Sequence, residues 1–217
     1  MPKVIIATNP SDDKPTEYLA SWFKKIITLV GITKDTILFD LKKENANREE
    51  LTRIIEKEKP RGVILNGHGN SKCITGFSQQ PLVECDVNEE ILKGTVAHFM
   101  ACDSAIELGP KIIDAGAISF IGYKEKLHLV HLNKQTEDDQ MNDPMIRFFL
   151  DPAYEVIKSL ISGKTVKEAY VDSQNMYREN LLTLITSTNP DYNTLAAGRL
   201  YANLTNQVYL GDGDARL

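Results

Sequence analysis

Short apolar runs rich in β-branched residues alternate with amphipathic helical stripes over the first half of the chain, and this alternation allows few folds. Strands are predicted at 3–8, 36–41, 61–66, 95–101 and 117–122. Helices are predicted between them at 15–30, 47–58, 86–93 and 104–115. Strands that alternate with helices form right-handed βαβ units, which predicts a mainly parallel sheet with helices on both faces.

The pattern changes after residue 123. Residues 124–141 are polar and predict a long loop. Three helices and a last strand are predicted to follow, at 144–162, 164–186, 191–202 and 206–210. No repeat or linker divides the 217 residues, so we predict a single domain, 1–217. Its fold class is α/β, a three-layer sandwich around a sheet of about six strands.

Charge and composition argue against several classes of protein. The formal net charge of −5 and the sequence pI near 5.5 disfavour nucleic acid as a partner. No apolar run approaches the roughly 20 residues of a membrane span, and the N-terminus lacks the features of a signal peptide. Three cysteines without regular spacing predict neither a disulfide framework nor a zinc site. We therefore expect a cytoplasmic protein without membrane contact or bound metal.

Two predicted strands end directly in residues that carry chemistry. The strand 61–66 runs into His68, which lies between Gly67 and Gly69, and the strand 95–101 runs into Cys102. Reactive groups of an open parallel sheet gather beyond the carboxyl ends of its strands. Neighbouring strands lie about 4.8 Å apart, so an imidazole and a thiol on adjacent end loops can react together.

A histidine beside a cysteine supplies what thiol catalysis needs. A free thiol is mostly protonated at neutral pH, and an imidazole can take its proton and later pass it to a leaving amine. The predicted helix beginning at Ser104 would place its positive end beside Cys102 and favour the thiolate. The glycines next to His68 leave room for a substrate backbone, and the amides of Gly69 and Cys102 are candidate donors to an oxyanion.

These motifs resemble the caspase–hemoglobinase-fold cysteine peptidases of clan CD, which include caspases, legumain, gingipains and bacterial CHAT domains. GVILNGHG (62–69) and TVAHFMACDSA (95–105) match, in order, the apolar strand ending in His-Gly and the later strand ending in Ala-Cys. The closing VYLGDGDARL (208–217) is similar to the last strand of CHAT and gingipain-like members, with Gly213 where proline is usual. The resemblance covers residues 3 to 122 and the last ten.

The resemblance implies an endopeptidase with a dyad of His68 and Cys102 and an oxyanion site at the Gly69 and Cys102 amides. It implies no cofactor and a protein or peptide substrate. Because an unregulated peptidase would be hazardous in the cytoplasm, we also expect control by a regulatory protein partner, an activating ligand or self-cleavage. The acidic run 137–139 indicates a solvated loop, with a processing segment as the alternative that the resemblance adds.

The resemblance also predicts where a substrate side chain would bind. The primary pocket would be lined by Asn9 and Met100, together with Tyr123 and Glu125 from the loop after the fifth predicted strand. Asp103 is a further candidate, although a role at the start of the next helix explains it equally well. A carboxylate from Glu125, Asp12 or Asp13 would favour a basic residue at the cleavage site, whereas Lys124 would favour an acidic one.

Other interpretations of the same residues stay open. A binding module that keeps the fold without catalysis would carry the same motifs. A nucleotide-binding protein is disfavoured because TNPSDDKP (8–15), after the first strand, contains no glycine. The remaining thiols, Cys73 and Cys85, are predicted as small core residues. His98 lies inside a predicted strand and is predicted to be structural, whereas His128 and His131 are predicted in the loop.

Overall fold

The computed structural model describes residues 2–33, 35–132, 140–189 and 194–217. The strands are β1 (Lys3–Asn9), β2 (Thr36–Lys42), β3 (Gly62–Asn66), β4 (Cys73–Thr75), β5 (Pro81–Glu84), β6 (Val96–Met100), β7 (Ser119–Tyr123) and β8 (Gln207–Gly211). The helices are α1 (Lys14–Ile32), α2 (Arg48–Glu58), α3 (Leu108–Asp114), α4 (Pro144–Ile161), α5 (Val166–Thr186) and α6 (Thr194–Asn206). The acidic run 137–139 lies outside the described residues.

The main sheet has six strands in the order β2-β1-β3-β6-β7-β8. Its pairs are parallel except for the last, in which β8 runs antiparallel to β7. A separate antiparallel hairpin is formed by β4 and β5 within the predicted loop after β3. The predicted α/β class and the six-stranded, mainly parallel sheet are therefore confirmed.

Helices cover both faces of this sheet because successive strand residues point to opposite sides. Ile6 of β1 joins a core that includes residues of α2 and α3, whereas its neighbours Ile5 and Ala7 join a core with α1 and α4. Helix α5 packs against α4 over the same side as α1, and α6 packs against both. The result is the predicted three-layer sandwich.

Two predicted helices are shorter than the sequence pattern indicated. The helix predicted at 104–115 begins only at Leu108, because Asp103 takes a left-handed conformation with φ of 56° and the chain turns before the helix starts. The helix predicted at 86–93 does not begin at Asp86, which also has a positive φ, of 60°. Only a 3₁₀ turn at Glu89–Leu92 follows it. Cys102 is therefore not at a helix N-terminus, and the predicted assistance from a helix dipole is wrong.

His98 is a buried structural histidine in β6. Its side chain is 1% exposed, and its Nδ1 lies 3.2 Å from the carbonyl oxygen of Ile121 on the neighbouring strand. Burial lowers the pKa of this imidazole from 6.5 to about 4, against hydrogen bonds to main-chain carbonyls that act to raise it. The folded protein therefore holds His98 neutral where an unfolded chain would protonate it.

We expect acid to destabilise the fold through His98. Between pH 6.5 and about pH 4 the unfolded imidazole binds a proton that the folded one does not. The free energy of unfolding should therefore fall by roughly 3 kcal/mol as the pH drops across this window. Urea titrations at several pH values measure this. His98→Gln, which does not titrate, should flatten the decline, and an equally steep decline in that variant would contradict the assignment.

Within the described ranges, no helix is both long and apolar enough to cross a membrane. One face of each main helix contributes apolar residues to the cores already described, whereas Leu182, Ile185 and Leu195 are exposed.

Candidate active site

The two loops that carry His68 and Cys102 leave the sheet side by side. Strands β3 and β6 are parallel neighbours, and Asn66 pairs with Met100 at their last residues. His68 therefore lies two residues after Asn66, and Cys102 lies two residues after its pairing partner Met100. The predicted juxtaposition of the two strand ends is confirmed by this register.

Gly69 brings the two loops into direct contact. A Cβ atom at this position would lie 2.8 Å from the carbonyl oxygen of Cys102 and 2.9 Å from the Cβ of Ala101. Both distances are shorter than side-chain carbons tolerate, so only glycine fits without movement of the main chain. The His-Gly sequence thus fixes how closely the histidine loop approaches the cysteine loop.

The imidazole of His68 is held in place by the carboxylate of Asp13. The Nε2 of His68 donates to Oδ2 of Asp13 at 2.5 Å, and the two side chains are 39% and 36% exposed. Because a carboxylate can only accept, this contact places the proton of a neutral imidazole on Nε2. The remaining ring nitrogen, Nδ1, then carries the lone pair that can act as a base.

Asp13 is itself fixed by the start of α1. It is the N-cap of that helix, and its Oδ1 accepts from the main-chain N–H of Thr16 at 3.1 Å. Burial acts to raise the pKa of Asp13, but the hydrogen bonds from Thr16 and the contact with His68 outweigh burial and lower it. The carboxylate therefore stays charged and keeps His68 in one tautomer.

The Cys102 thiol is half-buried and protonated at neutral pH. Burial raises its pKa, and the charge of Asp103 adds to this effect. A main-chain hydrogen bond from Leu127 and the charge of Lys126 act in the opposite direction and are outweighed. No hydrogen bond joins the imidazole of His68 to this thiol, although the structure describes both residues.

The amides of Gly69 and Cys102 have no main-chain acceptor in another of the described residues. Asn70 N–H donates to the Cys73 carbonyl at 3.0 Å, and Thr75 N–H donates to the His68 carbonyl at 2.9 Å. This pairing leaves Gly69 in a position that makes no ladder hydrogen bond of its own. In the described part of the chain, neither amide donates to another residue. The Cys102 amide does act on its own thiol, whose pKa it helps to lower against the effect of burial.

Three of the predicted pocket residues lie in one row beneath this edge of the sheet. Met100 pairs with Asn66, whose Nδ2 donates to Oδ1 of Asn9 at 2.8 Å, and Tyr123 ends the next strand. Asn9 is 4% exposed, and Met100 and Tyr123 are completely buried. The phenol of Tyr123 lies 3.2 Å from that of Tyr177. The structure brings these residues together, but as part of the core rather than as an open pocket.

The predicted charged residues are occupied by contacts within the chain. The main-chain N–H of Asp103 donates to the Glu125 carbonyl at 3.0 Å, and the Glu125 carboxylate accepts from Asn206 at 3.1 Å. Asp12 accepts from the main-chain N–H of Ser78 at 2.5 Å. Asp13 contacts His68. Each of the three carboxylates that could favour a basic residue at the cleavage site therefore already has a partner within the chain.

A cavity of about 410 Å³ opens at the ends of β1 and β2, one strand away from the His68 loop. Its lining residues are Asn9, Ser11, Glu17, Ala20, Ser21, Lys24, Ile27, Asp40, Lys42, Lys43 and Gln140. Asn9 donates to Asp40 at 2.6 Å at the base of the cavity. Asn9 is the one predicted substrate residue that faces this space.

Sequence reasoning missed the positioning role of Asp13. It considered Asp13 only as a pocket carboxylate, because 55 residues separate it from His68. The signal that could have found it is a helix N-cap following the first parallel strand, at the same sheet edge as His68. The contact between Leu127 and Cys102 had no comparable signal in the sequence.

The remaining thiols differ from Cys102. Burial raises the pKa of Cys73 to about 11 and also raises that of Cys85. Cys73 is buried and Cys85 is packed at the margin of the core, in keeping with their predicted structural roles. In the described part of the chain, no group of three or more histidine, cysteine or acidic side chains is arranged to hold a metal ion.

Comparison with models of known protein families and with curated proteins gives no match.

Proposed function

We propose that the protein is a cysteine endopeptidase in which Cys102 is the nucleophile and His68 the general base and acid. The observation that carries the proposal is the packing of the His68 loop on the Cys102 loop at Gly69, together with the 2.5 Å contact between His68 and Asp13. A nucleophile, a base and a group that orients the base form the general pattern of covalent catalysis. The resemblance to clan CD peptidases supports the same roles.

The proposed reaction begins with proton transfer from the Cys102 thiol to Nδ1 of His68. The resulting imidazolium is stabilised by Asp13, and the thiolate attacks the scissile carbonyl. The N–H groups of Gly69 and Cys102 bind the oxyanion as it forms. His68 then protonates the leaving amine, and a water molecule activated by the same nitrogen hydrolyses the acyl-enzyme. These steps use only groups of the chain, the peptide and water.

A binding module without catalysis is the second candidate. It is favoured by the absence of a hydrogen bond between His68 and Cys102, two described residues, and by the raised pKa of the thiol. Loose contacts of this kind also occur in catalytic pairs before substrate binds. The two candidates differ in whether peptide bonds are cleaved at all.

Incubation of the wild-type protein and Cys102→Ala with a peptide library tests the proposal. We expect cleavage by the wild type and a decrease of at least about 10⁴-fold in the variant, because the nucleophile is lost. Cys85→Ala serves as the matched control and should cleave at the wild-type rate. Cleavage that persists in Cys102→Ala, or no cleavage by any form, would contradict the proposal.

The proposal also covers the cellular location of the protein, its substrates and its control. We propose that it acts in the cytoplasm on protein or peptide substrates and is controlled by a partner, a ligand or self-cleavage. Three unpaired cysteines fit a reducing compartment. Fractionation of cells followed by detection of the chain tests the location.

A further inference from the structure

The chain that follows β7 returns across the carboxyl edge of the sheet and lies against Cys102. We call residues 124–132 the covering segment. Its main chain is tied to the cysteine loop where Asp103 N–H donates to the Glu125 carbonyl at 3.0 Å. Burial raises the pKa of the Cys102 thiol, and the main chain of Leu127, two residues after Glu125, acts in the opposite direction. The covering segment therefore runs beside the loop that carries Cys102.

Apolar side chains hold the covering segment on the sheet edge. Leu127 and Leu129 are partly buried and pack against the core cluster that includes Met100, Ala7 and Ile64. Side chains two residues apart that enter the same cluster indicate an extended backbone. An extended backbone with alternate side chains buried is also how a peptide binds along a protein edge.

A buried asparagine fixes the middle of the covering segment. Asn203 of α6 is completely buried, and its Nδ2 donates to the His128 carbonyl at 2.8 Å. The main-chain N–H of His128 donates back to Oδ1 of Asn203, also at 2.8 Å. One amide side chain thus satisfies both main-chain groups of one residue, as an adjacent strand would.

The outer end of the covering segment is held as well. The ring of His131 stacks on the buried ring of Tyr18, with centroids 4.7 Å apart and an interplanar angle of 25°. The main-chain N–H of Leu132 donates to the carboxylate of Asp143 at 2.7 Å. Specific contacts therefore hold the covering segment at its start, its middle and its outer end.

We propose that the covering segment occupies the substrate's place and closes the site except when it transiently detaches, so that the wild type reacts more slowly than a loosened variant. A substrate carbonyl has to come within about 3.5 Å of the attacking sulfur, and the covering segment is bonded to the residue that follows Cys102 and packs on the cluster that includes Met100. The groove that detachment would open accepts an extended peptide with large aliphatic side chains where Leu127 and Leu129 now lie. This inference rests on the proposed peptidase function for its biological meaning, although closure of the site over Cys102 stands independently of it.

Loosening the Asn203 contacts tests this proposal. We expect Asn203→Ala to increase the rate at which iodoacetamide alkylates Cys102 by at least about 10-fold, because two hydrogen bonds that hold the segment closed are lost. Mass spectrometry of the alkylated protein separates Cys102 from the other thiols. Asn180→Ala is the matched control, since Asn180 donates to the Phe148 carbonyl at 3.0 Å on a different helix, and it should react at the wild-type rate.

A second variant keeps the test decisive if Asn203→Ala folds poorly. Leu127→Ala removes apolar contact from the segment and keeps its main-chain N–H, and it should also accelerate alkylation. Wild-type alkylation rates in both variants would overturn the proposal, as would equal acceleration in Asn180→Ala.

If alkylation accelerates but no form cleaves peptides, the proposed peptidase function fails and the closed site stands. If peptides are cleaved, a preference for leucine and similar residues is expected in the loosened variants, and no such preference would overturn the predicted groove specificity.

Discussion

Replacing His68 with alanine is expected to lower the rate of peptide cleavage about 10³-fold, because the thiol of Cys102 loses its base and the leaving amine loses its acid. The loss should appear in kcat, with little change in KM, since His68 acts on the reacting atoms more than on substrate binding. Steady-state kinetics on a cleaved library peptide measure both constants. Circular dichroism should be unchanged, because the side chain is 39% exposed.

Asp13→Asn is the companion variant and separates orientation from folding. Asparagine is also a good helix N-cap, so α1 should remain intact. The neutral amide cannot stabilise the imidazolium, so cleavage should fall, though less than in His68→Ala. Cleavage at the wild-type rate in His68→Ala would contradict the assigned base. An unchanged rate in Asp13→Asn would show that the contact with His68 serves only the fold.

Gly69→Ala is expected to be the most damaging change of a single small residue. The new Cβ would lie 2.8 Å from the Cys102 carbonyl oxygen and 2.9 Å from the Ala101 side chain, so the two loops must separate. We expect a loss of roughly 1–3 kcal/mol in the free energy of unfolding. Cleavage should fall about 10²-fold or more, because displacement of reacting groups by about 1 Å has that effect.

Gly198→Ala is the control for this substitution. Gly198 lies in α6 with no atom within 4 Å of an added Cβ, so alanine should be neutral or slightly stabilising there. Denaturant titration and cleavage assays compare the two variants directly. A fully active and stable Gly69→Ala protein would mean that the loops do not pack as closely as the structure describes.

Much of the fold follows from local patterns in the sequence. The apolar β-branched run at β3 and the stripe of α1 each have a single period and clear end signals, so the predicted bounds differ from the observed ones by no more than two residues. The helix before β7 was predicted four residues too early, at Ser104 instead of Leu108. The hydroxyl of Ser104 is used differently, donating to the Ala101 carbonyl at 3.1 Å in the turn that positions Cys102.

The site was predictable only as far as strand ends determine it. His68 and Cys102 could be found because each follows a parallel strand at the same edge, and the sheet order then places them together. Asp13 and Asn203 act through contacts across 55 and 75 residues, which no local pattern encodes. Met100 and Tyr123 were placed correctly in register, but their burial depends on helices and on residues 124–132, which the sequence pattern did not place over them.

Labelling by a thiol-directed peptide probe tests the central assignment of Cys102 and His68 most directly. The wild type, Asn203→Ala, Cys102→Ala and His68→Ala are treated with the probe, and mass spectrometry locates the modified cysteine. We predict modification of Cys102 in the wild type, faster modification in Asn203→Ala, much slower modification in His68→Ala and none in Cys102→Ala. Unchanged labelling of Cys102→Ala at Cys73 or Cys85 would contradict the account.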